Sequence, residues 1–494
     1  MTAAIIEQTL AQRRTTISPR FTPPPTPLRS RLIHGGALAL WILLFIRAFG
    51  GGGVFAWSAG LAYIAYDTIL LVFVFWQTLA LLRSTKTAHA DEMPPATIIV
   101  AAHNEAAVLP ITLAALLAQT SPADTILIAD DGSTDETAAM LESNYGLTTP
   151  PIDSMSARSP RYPALRWLRL PHAGKARALN MACASTETEL VLTVDADTIL
   201  DPAALGAMQQ AFAANPNLVA ATGVLTPVCG ASTSARLLQW FQTYEYVRNF
   251  LSRYAWMQVD GLLLISGAFG CYRRQALLTV GGFDPDCLVE DYELTHRLRD
   301  HSGRRGLAWH TAVVGGAHAR TDAPDTIGAF LRQRRRWFGG FLQTQLWYRH
   351  MVGNPLYGRL GTMMLTVKAI DTLQPLYGLT GAVLLLAYLA TGQFALVTPV
   401  AGVIGAKIAF DLAFYLWSLH LYRRWLGRAS GLHLIPATLA ALIEPFTFQL
   451  LRHSGAALGW VSFLTGTRSW GAQVRHGVLR AAEPQVSDVG SSHL

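Results

Sequence analysis

Two long apolar blocks frame a middle segment of alternating character. Apolar residues concentrate in 32–82 and again in 361–464. The first block divides at Gly50-Gly-Gly-Gly53 into stretches of 32–49 and 55–82, each close to the ~20 residues that cross a bilayer as a helix. Arg47 is out of character there, but a long side chain can snorkel to the interface. The second block predicts spans over Leu373–Ala390 and Phe394–His420. A third apolar stretch, Leu432–Leu451, is broken by Glu444-Pro445, and it spans, re-enters or lies at the interface. The stretch 341–371, with Lys368 and Asp371, reads as an interfacial helix covering the site. Lys407 and Asp411 stand four apart inside a span, where they either pair in helix packing or line a polar path.

The middle segment alternates strands with helices. Ala96–Ala102 is a short β-rich run, followed by a helical pattern through Gln119. Thr125–Ala129 predicts a second strand that ends at Asp130-Asp131-Gly132, with Ser133 or Thr134 placed to cap the next helix. A strand near 165–169 leads to His172-Ala-Gly-Lys175 and another helix, and Leu190–Val194 is a buried strand ending at Asp195. Such βα alternation predicts an α/β fold with a mostly parallel sheet. Ligands of these sheets bind beyond the carboxyl ends of the strands, and the acids lie there. The expected organisation is a disordered N-terminus at 1–30, a two-helix membrane hairpin at 31–83, and a soluble domain at 84–345. Interfacial and membrane helices follow at 346–480, then a disordered tail at 481–494.

Composition and charge set the compartment. The chain is 51% hydrophobic and 14% charged, too apolar for an ordinary soluble protein. Arg13, Arg14, Arg20, Arg29 and Arg31 precede the first span, Arg83 and Lys86 follow the second, and the link between them is uncharged. Basic residues stay on the cytoplasmic side, so the N-terminus and the middle domain are expected in the cytoplasm, at the inner (plasma) membrane. The net charge of +7 then reflects membrane orientation, and no basic recognition fold points to nucleic acid. Cys183, Cys229, Cys271 and Cys287 form no CxxC pair and read as core residues.

Four stations carry candidate chemistry. Asp130 and Asp131 can accept from the uracil N–H or ribose hydroxyls of a nucleotide, or can simply build an Asp-Gly-Ser turn. Lys175 opens a helix after a glycine, which suits a diphosphate or a solvated helix start. Asp195 and Asp197, one residue apart, can share a hard cation and the ribose; Mg²⁺ takes oxygen ligands and offsets charge on a departing diphosphate. Gln333, Arg336 and Trp337 lie on one helical face, because i, i+3 and i+4 are neighbours. There Arg336 can bridge phosphate oxygens with its planar fork. Trp337 offers a flat face to a sugar, and Gln333 can bond hydroxyls or diphosphate. Arg332, Arg334 and Arg335 read as a basic run facing the membrane surface.

This ordered set between two membrane blocks resembles the family 2 inverting glycosyltransferases with a GT-A-type fold. More narrowly it resembles the membrane-embedded processive synthases of poly-N-acetylglucosamine, chitin, hyaluronan and cellulose. Motifs carry the likeness over 90–345 and architecture over 30–480. The resemblance implies a uridine pocket at Asp130 and Asp131 together with His103-Asn104-Glu105, and a nucleotide contact for Lys175. It makes Asp197 the direct ligand of Mg²⁺ or Mn²⁺ and gives Asp195 a ribose contact or a supporting role. Ser266-Gly-Ala-Phe-Gly270 resembles the acceptor-side loop. Asp291 is the candidate general base, with Glu290 beside it in substrate binding, while Glu293 only complements its helix N-terminus. Family members commonly have Thr where this chain has Val289.

The implied reaction is direct displacement, in which an α-linked UDP-sugar gives a β-linked polymer. Gly267-Ala-Phe-Gly270 and the Lys175 loop favour UDP-N-acetylglucosamine. The growing polysaccharide is the acceptor, lipid surrounds the spans, and the chain has a route for coupled export. Control is left to a separate partner, such as a small accessory membrane subunit. Two rival readings are a non-processive transfer to a lipid carrier and a catalytically silent component of an export complex.

Overall fold

The computed structural model describes residues 3–50, 56–83, 92–426 and 433–466. Gly51–Gly53, Lys86, Arg428, Leu432, Arg468, Arg475, Arg480 and the tail at 481–494 lie outside the described residues. Three helices come first: α1 (Ala3–Ile17), α2 (Leu28–Gly50) and α3 (Ser58–Thr78). The globular part begins β1 (Ala96–Ala102), α4 (Leu109–Leu117), β2 (Thr125–Asp131), α5 (Thr137–Tyr145), β3 (Ser154–Met155), β4 (Leu165–Leu170) and α6 (Lys175–Ala184). It continues β5 (Leu190–Asp195), β6 (Thr198–Leu200), α7 (Ala204–Ala214), β7 (Leu218–Val228), α8 (Thr233–Gln258), β8 (Phe269–Arg273) and α9 (Arg274–Thr279). Then come α10 (Glu290–Arg305), β9 (His310–Asp322) and α11 (Ile327–Trp347). The last helices are α12 (Leu365–Asp371), α13 (Gln374–Ala390), α14 (Phe394–Trp425), α15 (Leu434–Ile443) and α16 (Phe448–Thr465).

All these strands join one sheet in the order β3-β4-β2-β1-β5-β8-β7-β9-β6. The half β4-β2-β1-β5 is parallel. Beyond it β8 runs antiparallel to both β5 and β7, β9 runs parallel to β7, and β6 antiparallel to β9. The expected parallel sheet is therefore present where the first acids lie, and the far half is mixed. Ile98, Ile99 and Val100 of β1 and Leu127 and Ile128 of β2 are wholly buried, as continuous apolar strands covered on both faces must be. Register decides the site. Ala102 pairs with Asp130 and Ala101 with Asp195, so the ends of β2 and β5 flank the end of β1 on one sheet edge.

Among the described residues, four helices are long and apolar enough to cross a membrane: Leu28–Gly50, Ser58–Leu82, Leu360–Ala390 and Val400–Trp425. Ile46, Trp76 and Leu386 remain 61%, 70% and 62% exposed on them, which fits lipid rather than water as their solvent. The stretch interrupted by Glu444-Pro445 is a bent pair, Leu434–Phe446 and Phe448–Thr465, with 48° between its halves. Lys407 bonds Asp67 of α3 at 2.6 Å as well as Asp411, so the expected pair is a three-residue cluster joining two spans.

Three expectations are corrected. The N-terminus, expected to be disordered over 1–30, carries α1 as a docked helix with Ile6 and Leu10 buried. Arginines within this segment, which the sequence presents only as charges setting membrane orientation, are its anchors. Arg13 and Arg14 donate to the carbonyls of Leu278 (2.8 Å) and Gly281 (2.7 Å), and Arg20 pairs with Asp284 (2.7 Å) and Asp286 (3.0 Å). The stretch 341–371 is not one helix, because the chain turns at Gly353 and Gly358, both at positive φ. Neither Ser133 nor Thr134 caps α5. Asp135 Oδ1 accepts from the Thr137 N–H (3.1 Å), while Ser133 Oγ accepts from the Asn104 N–H (3.0 Å).

Candidate active site

The turn after β5 sets the acidic centre. The Thr112 hydroxyl donates to the Ala196 carbonyl at 2.6 Å and fixes the backbone between Asp195 and Asp197. Pairing of Thr198 with Thr321 then brings the end of β9 alongside, and the Asp322 N–H reaches the Asp197 carbonyl at 3.4 Å.

Lys175 arrives from the neighbouring loop. Gly174 holds φ at 96°, a left-handed turn that side chains resist, and α6 begins at the next residue. Asp131 shapes this loop, because its carboxylate accepts from the N–H groups of Ala173 (2.8 Å) and Gly174 (2.9 Å). The Lys175 ammonium pairs with Asp195. Burial works against the charged amine, but Asp195 and Glu290 outweigh it and raise its pKa.

The first turn of α10 supplies Glu290 and Asp291. The Gly267 N–H donates to Asp291 Oδ2 (2.7 Å) and the Tyr292 N–H to Oδ1 (2.8 Å). Burial raises the Glu290 carboxyl above its ordinary value; Lys175 and Arg336 oppose the shift and Asp291 adds to it. Glu293 turns away from the cleft. It forms a wholly buried pair with Arg297 (2.7 Å) and accepts from the Tyr348 hydroxyl (2.7 Å). Arg297 also donates to the carbonyls of Val280 and Gly282, each at 2.7 Å, which ties α10 to the preceding loop. Glu293 is thus an internal anchor, more than the helix-terminus charge the sequence predicts.

Helix α11 starts at Thr326, whose side chain accepts from the Ala329 N–H at 3.3 Å. Gln333, Arg336 and Trp337 share one face and line the same cleft as Lys175, Asp195, Asp197, Glu290 and Asp291. Arg334 does not face the membrane surface as expected. It pairs with the buried Glu245 of α8 (2.6 Å) and stacks 4.6 Å from the Trp337 ring centroid.

Glu105, Asp130 and Asp131 are outside that lining and sit at the adjoining ends of β1 and β2. Asp130 is held by the Ser133 N–H (2.9 Å) and the Trp167 indole N–H (3.2 Å). The Glu105 carbonyl accepts the N–H of Leu109 at 2.9 Å, the start of α4. The rings of His103 and His172 stack here at 4.1 Å, both with Nδ1 against the Asp131 carbonyl (2.8 and 3.1 Å). Ligand atoms of His103, Asp131 and His172 lie within 4.8 Å of one another, a second candidate position for a cation.

Residues 190–443 match the model of glycosyl transferase family group 2, and residues 97–280 that of glycosyl transferase family 2. The chain belongs to glycosyl transferase family group 2. This glycosyltransferase is 30% identical over 248 residues to the poly-beta-1,6-N-acetyl-D-glucosamine synthase of Staphylococcus epidermidis strain ATCC 35984, covering 49% of this chain and 53% of the relative. It is 29% identical over 260 residues to the synthase of the same name from Staphylococcus aureus strain COL, covering 51% and 56%. The chain thus spans about half the length of the curated relatives it matches. A mannosyltransferase of Pyrobaculum calidifontis, solved in complex with GDP-Man and Mn²⁺, shares the GT-A fold. That likeness has a TM-score of 0.50 at 20% identity over 83% of this chain and 99% of the neighbour.

The glycosyltransferase cleft also takes in residues beyond those the sequence reading singles out, among them Tyr246, Asn249, Arg253 and Asp322. Asp322 ends a strand, the same signal that marks Asp131 and Asp195. Tyr246, Asn249 and Arg253 recur at helical spacing on α8, a polar stripe that periodicity alone displays. Arg253 Nε and Nη1 and Gln333 Oε1 are buried without a hydrogen-bond partner among the described residues. Each such orphaned group costs about 1–3 kcal/mol, which marks the cleft as shaped for something polar.

Proposed function

We propose that this glycosyltransferase is an inverting, processive synthase that polymerises a β-linked polysaccharide from a UDP-sugar, with UDP-N-acetylglucosamine as donor. The observation that carries the reading is one cleft in which Asp197, Asp291, Gln333, Arg336 and Trp337 meet. The Staphylococcus relatives, named as poly-beta-1,6-N-acetyl-D-glucosamine synthases, support the choice of sugar.

In this reading the uridine lies at the ends of β1 and β2, beside Glu105, Asp130 and Asp131. Lys175 and Arg336 hold the diphosphate, and Asp195 releases Lys175 to contact the ribose. Asp197, with Asp322 next to it across a strand pair, offers the oxygen ligands that Mg²⁺ or Mn²⁺ takes; the Mn²⁺ complex of the mannosyltransferase is consistent with a divalent ion. The cation supplies charge compensation for the leaving diphosphate. Trp337 and Gln333 orient the terminal acceptor sugar. Asp291 accepts the proton of its hydroxyl as that oxygen bonds the anomeric carbon and the bond to UDP breaks, which inverts the centre.

The growing chain has an exit beside the cleft. Asn249 lines both the cleft and a cavity of about 530 Å³ among the spans, where Tyr63, Asp67, Arg248, Lys407 and Gln449 provide polar groups. With the catalytic domain on the cytoplasmic face of the inner membrane, this cavity carries the polymer outward through the lipid.

The test is incubation of the purified full chain with radiolabelled UDP-sugars and Mg²⁺ or Mn²⁺, followed by product sizing and glycosidase digestion. A long product from UDP-N-acetylglucosamine, cut by a β-specific N-acetylglucosaminidase, is expected. A single sugar on lipid would replace the processive reading. No turnover with any UDP-sugar would favour a silent export component.

A further inference from the structure

Arg253 is a cation in the catalytic cleft that pairs with no acid among the described residues. It lies on α8, and its Nε and Nη1 are closed off from solvent without a hydrogen bond. Its guanidinium carbon stands 4.4 Å from the Phe250 ring centroid, an apolar neighbour. Burial lowers its pKa to about 10, with Tyr246 and Asp291 pulling the other way, so it is charged at neutral pH. Its neighbours behave differently. Arg248 pairs with Glu444, Arg334 with Glu245, and Arg452 with both acids. Buried charge is ordinarily paired in this way.

Two further observations place its function. Gln333 Oε1, in the same cleft, is an acceptor without a donor. An orphaned donor and an orphaned acceptor in one cleft suit a ligand that can both give and take hydrogen bonds, as sugar hydroxyls do. The candidate base is also its electrostatic neighbour. Lys175 and Arg336 act on Glu290 and Lys175 on Asp291 too, and the carboxylate acting on Arg253 is Asp291. Asn249, one helical turn before Arg253, opens onto the membrane cavity as well. Arg253 therefore stands within electrostatic reach of the candidate base and one helical turn from a residue that borders the membrane cavity.

We propose that Arg253 is an acceptor-binding residue, donating hydrogen bonds to oxygens of the terminal acceptor sugar and holding its hydroxyl against Asp291. The proposal rests on the synthase reading above. Arg253→Gln and Arg253→Lys are compared with wild type as full chains in detergent, with melting temperature as the check on folding. Three quantities are measured: UDP binding by calorimetry, UDP release when water is the acceptor, and transfer to a short oligosaccharide of the product at varied concentration.

For Arg253→Gln the acceptor KM should rise roughly tenfold or more, the loss expected when a hydrogen bond to a charged group is removed. UDP affinity should stay within about twofold, because donor contacts are untouched, and hydrolysis should fall less than transfer does. Arg253→Lys should recover part of the loss, and it carries the same comparison if the glutamine variant does not fold. Weakened UDP binding at an unchanged acceptor KM would assign Arg253 to the donor and overturn the proposal. An unchanged acceptor KM beside normal wild-type transfer would refute this assignment alone. Absence of transfer by wild type would refute the synthase reading and this proposal with it.

Discussion

The backbone N–H of Gly267 donates to Oδ2 of Asp291 at 2.7 Å, and a β-carbon at position 267 would stand 3.1 Å from that same oxygen. The acceptor-side loop and the candidate base are therefore fitted to each other, and any side chain at 267 must displace the carboxylate. Asp291→Asn should lower kcat by about 10²–10⁴-fold, the range for losing a general base, with little change in KM for the UDP-sugar. Gly267→Ala should lower kcat by a smaller factor at a similar melting temperature. Steady-state UDP release checks both, and wild-type turnover by Asp291→Asn would remove the base assignment.

Glu290 gives a pH-dependent prediction. Burial raises its folded pKa above the ordinary 4.5, against Lys175 and Arg336 and with help from Asp291. Folding thus favours the protonated carboxyl. The stability it contributes is present below the unfolded pKa and is lost as pH rises through the folded one, where the buried charge becomes a cost. Glu290→Gln removes that cost, which grows by about 1.4 kcal/mol for every tenfold gain in the carboxylate's proton affinity on folding. The variant should melt higher than wild type near neutral pH, and the gap should close below about pH 4. Thermal melts across pH decide it, and a lower-melting variant at neutral pH would contradict the sign.

What is legible in the sequence is local. Asp131 and Asp195 are visible because each ends a continuous apolar strand, and the face of Gln333, Arg336 and Trp337 follows from helical spacing. What is hidden depends on distant partners. Three adjacent arginines look alike until Glu245, 89 residues before Arg334, selects one of them. The N-terminal segment, α1 and the turn after it, looks like a tail because its arginines bond carbonyls and acids more than 260 residues away. Arg253 stays hidden for a different reason, since only the fold shows that its buried Nε and Nη1 meet no hydrogen-bond partner.

Glu245 joins three helices. It accepts from Arg334 of α11 at 2.6 Å and pairs with Arg452 of α16 at 3.3 Å, from a buried position on α8. Glu245→Ala leaves Arg334 without its acid and Arg452 with Glu444 alone, and should destabilise by about 3–5 kcal/mol, as for other broken buried pairs. The double variant Glu245→Met with Arg334→Met removes charge from both sides and should recover part of that loss. Melting temperatures in detergent measure the cycle. A double variant no more stable than Glu245→Ala would show that the pair contributes nothing beyond packing.

Helix α1 and the turn that follows it touch the active site from outside. Glu7 pairs with Arg177, two residues beyond Lys175 on α6. Arg20 pairs with Asp284 and Asp286 in the loop that runs into Glu290 and Asp291. Neither Glu7 nor Arg20 lines the cleft, so the helix can act only by holding the two segments that supply cleft residues. Arg20→Ala strips the buried Asp284 of its cation and should cost about 3 kcal/mol. It should also lower kcat/KM for the UDP-sugar several-fold while leaving every group that meets the donor in place. Arg13→Ala is the internal comparison, because Arg13 makes one exposed bond to the Leu278 carbonyl and should change stability by about 1 kcal/mol or less. Melting temperature and UDP-release kinetics on both variants separate a clamp from a decoration. If Arg20→Ala melts and turns over like Arg13→Ala, the Arg20 contact made by the turn after α1 plays no part in positioning Asp291.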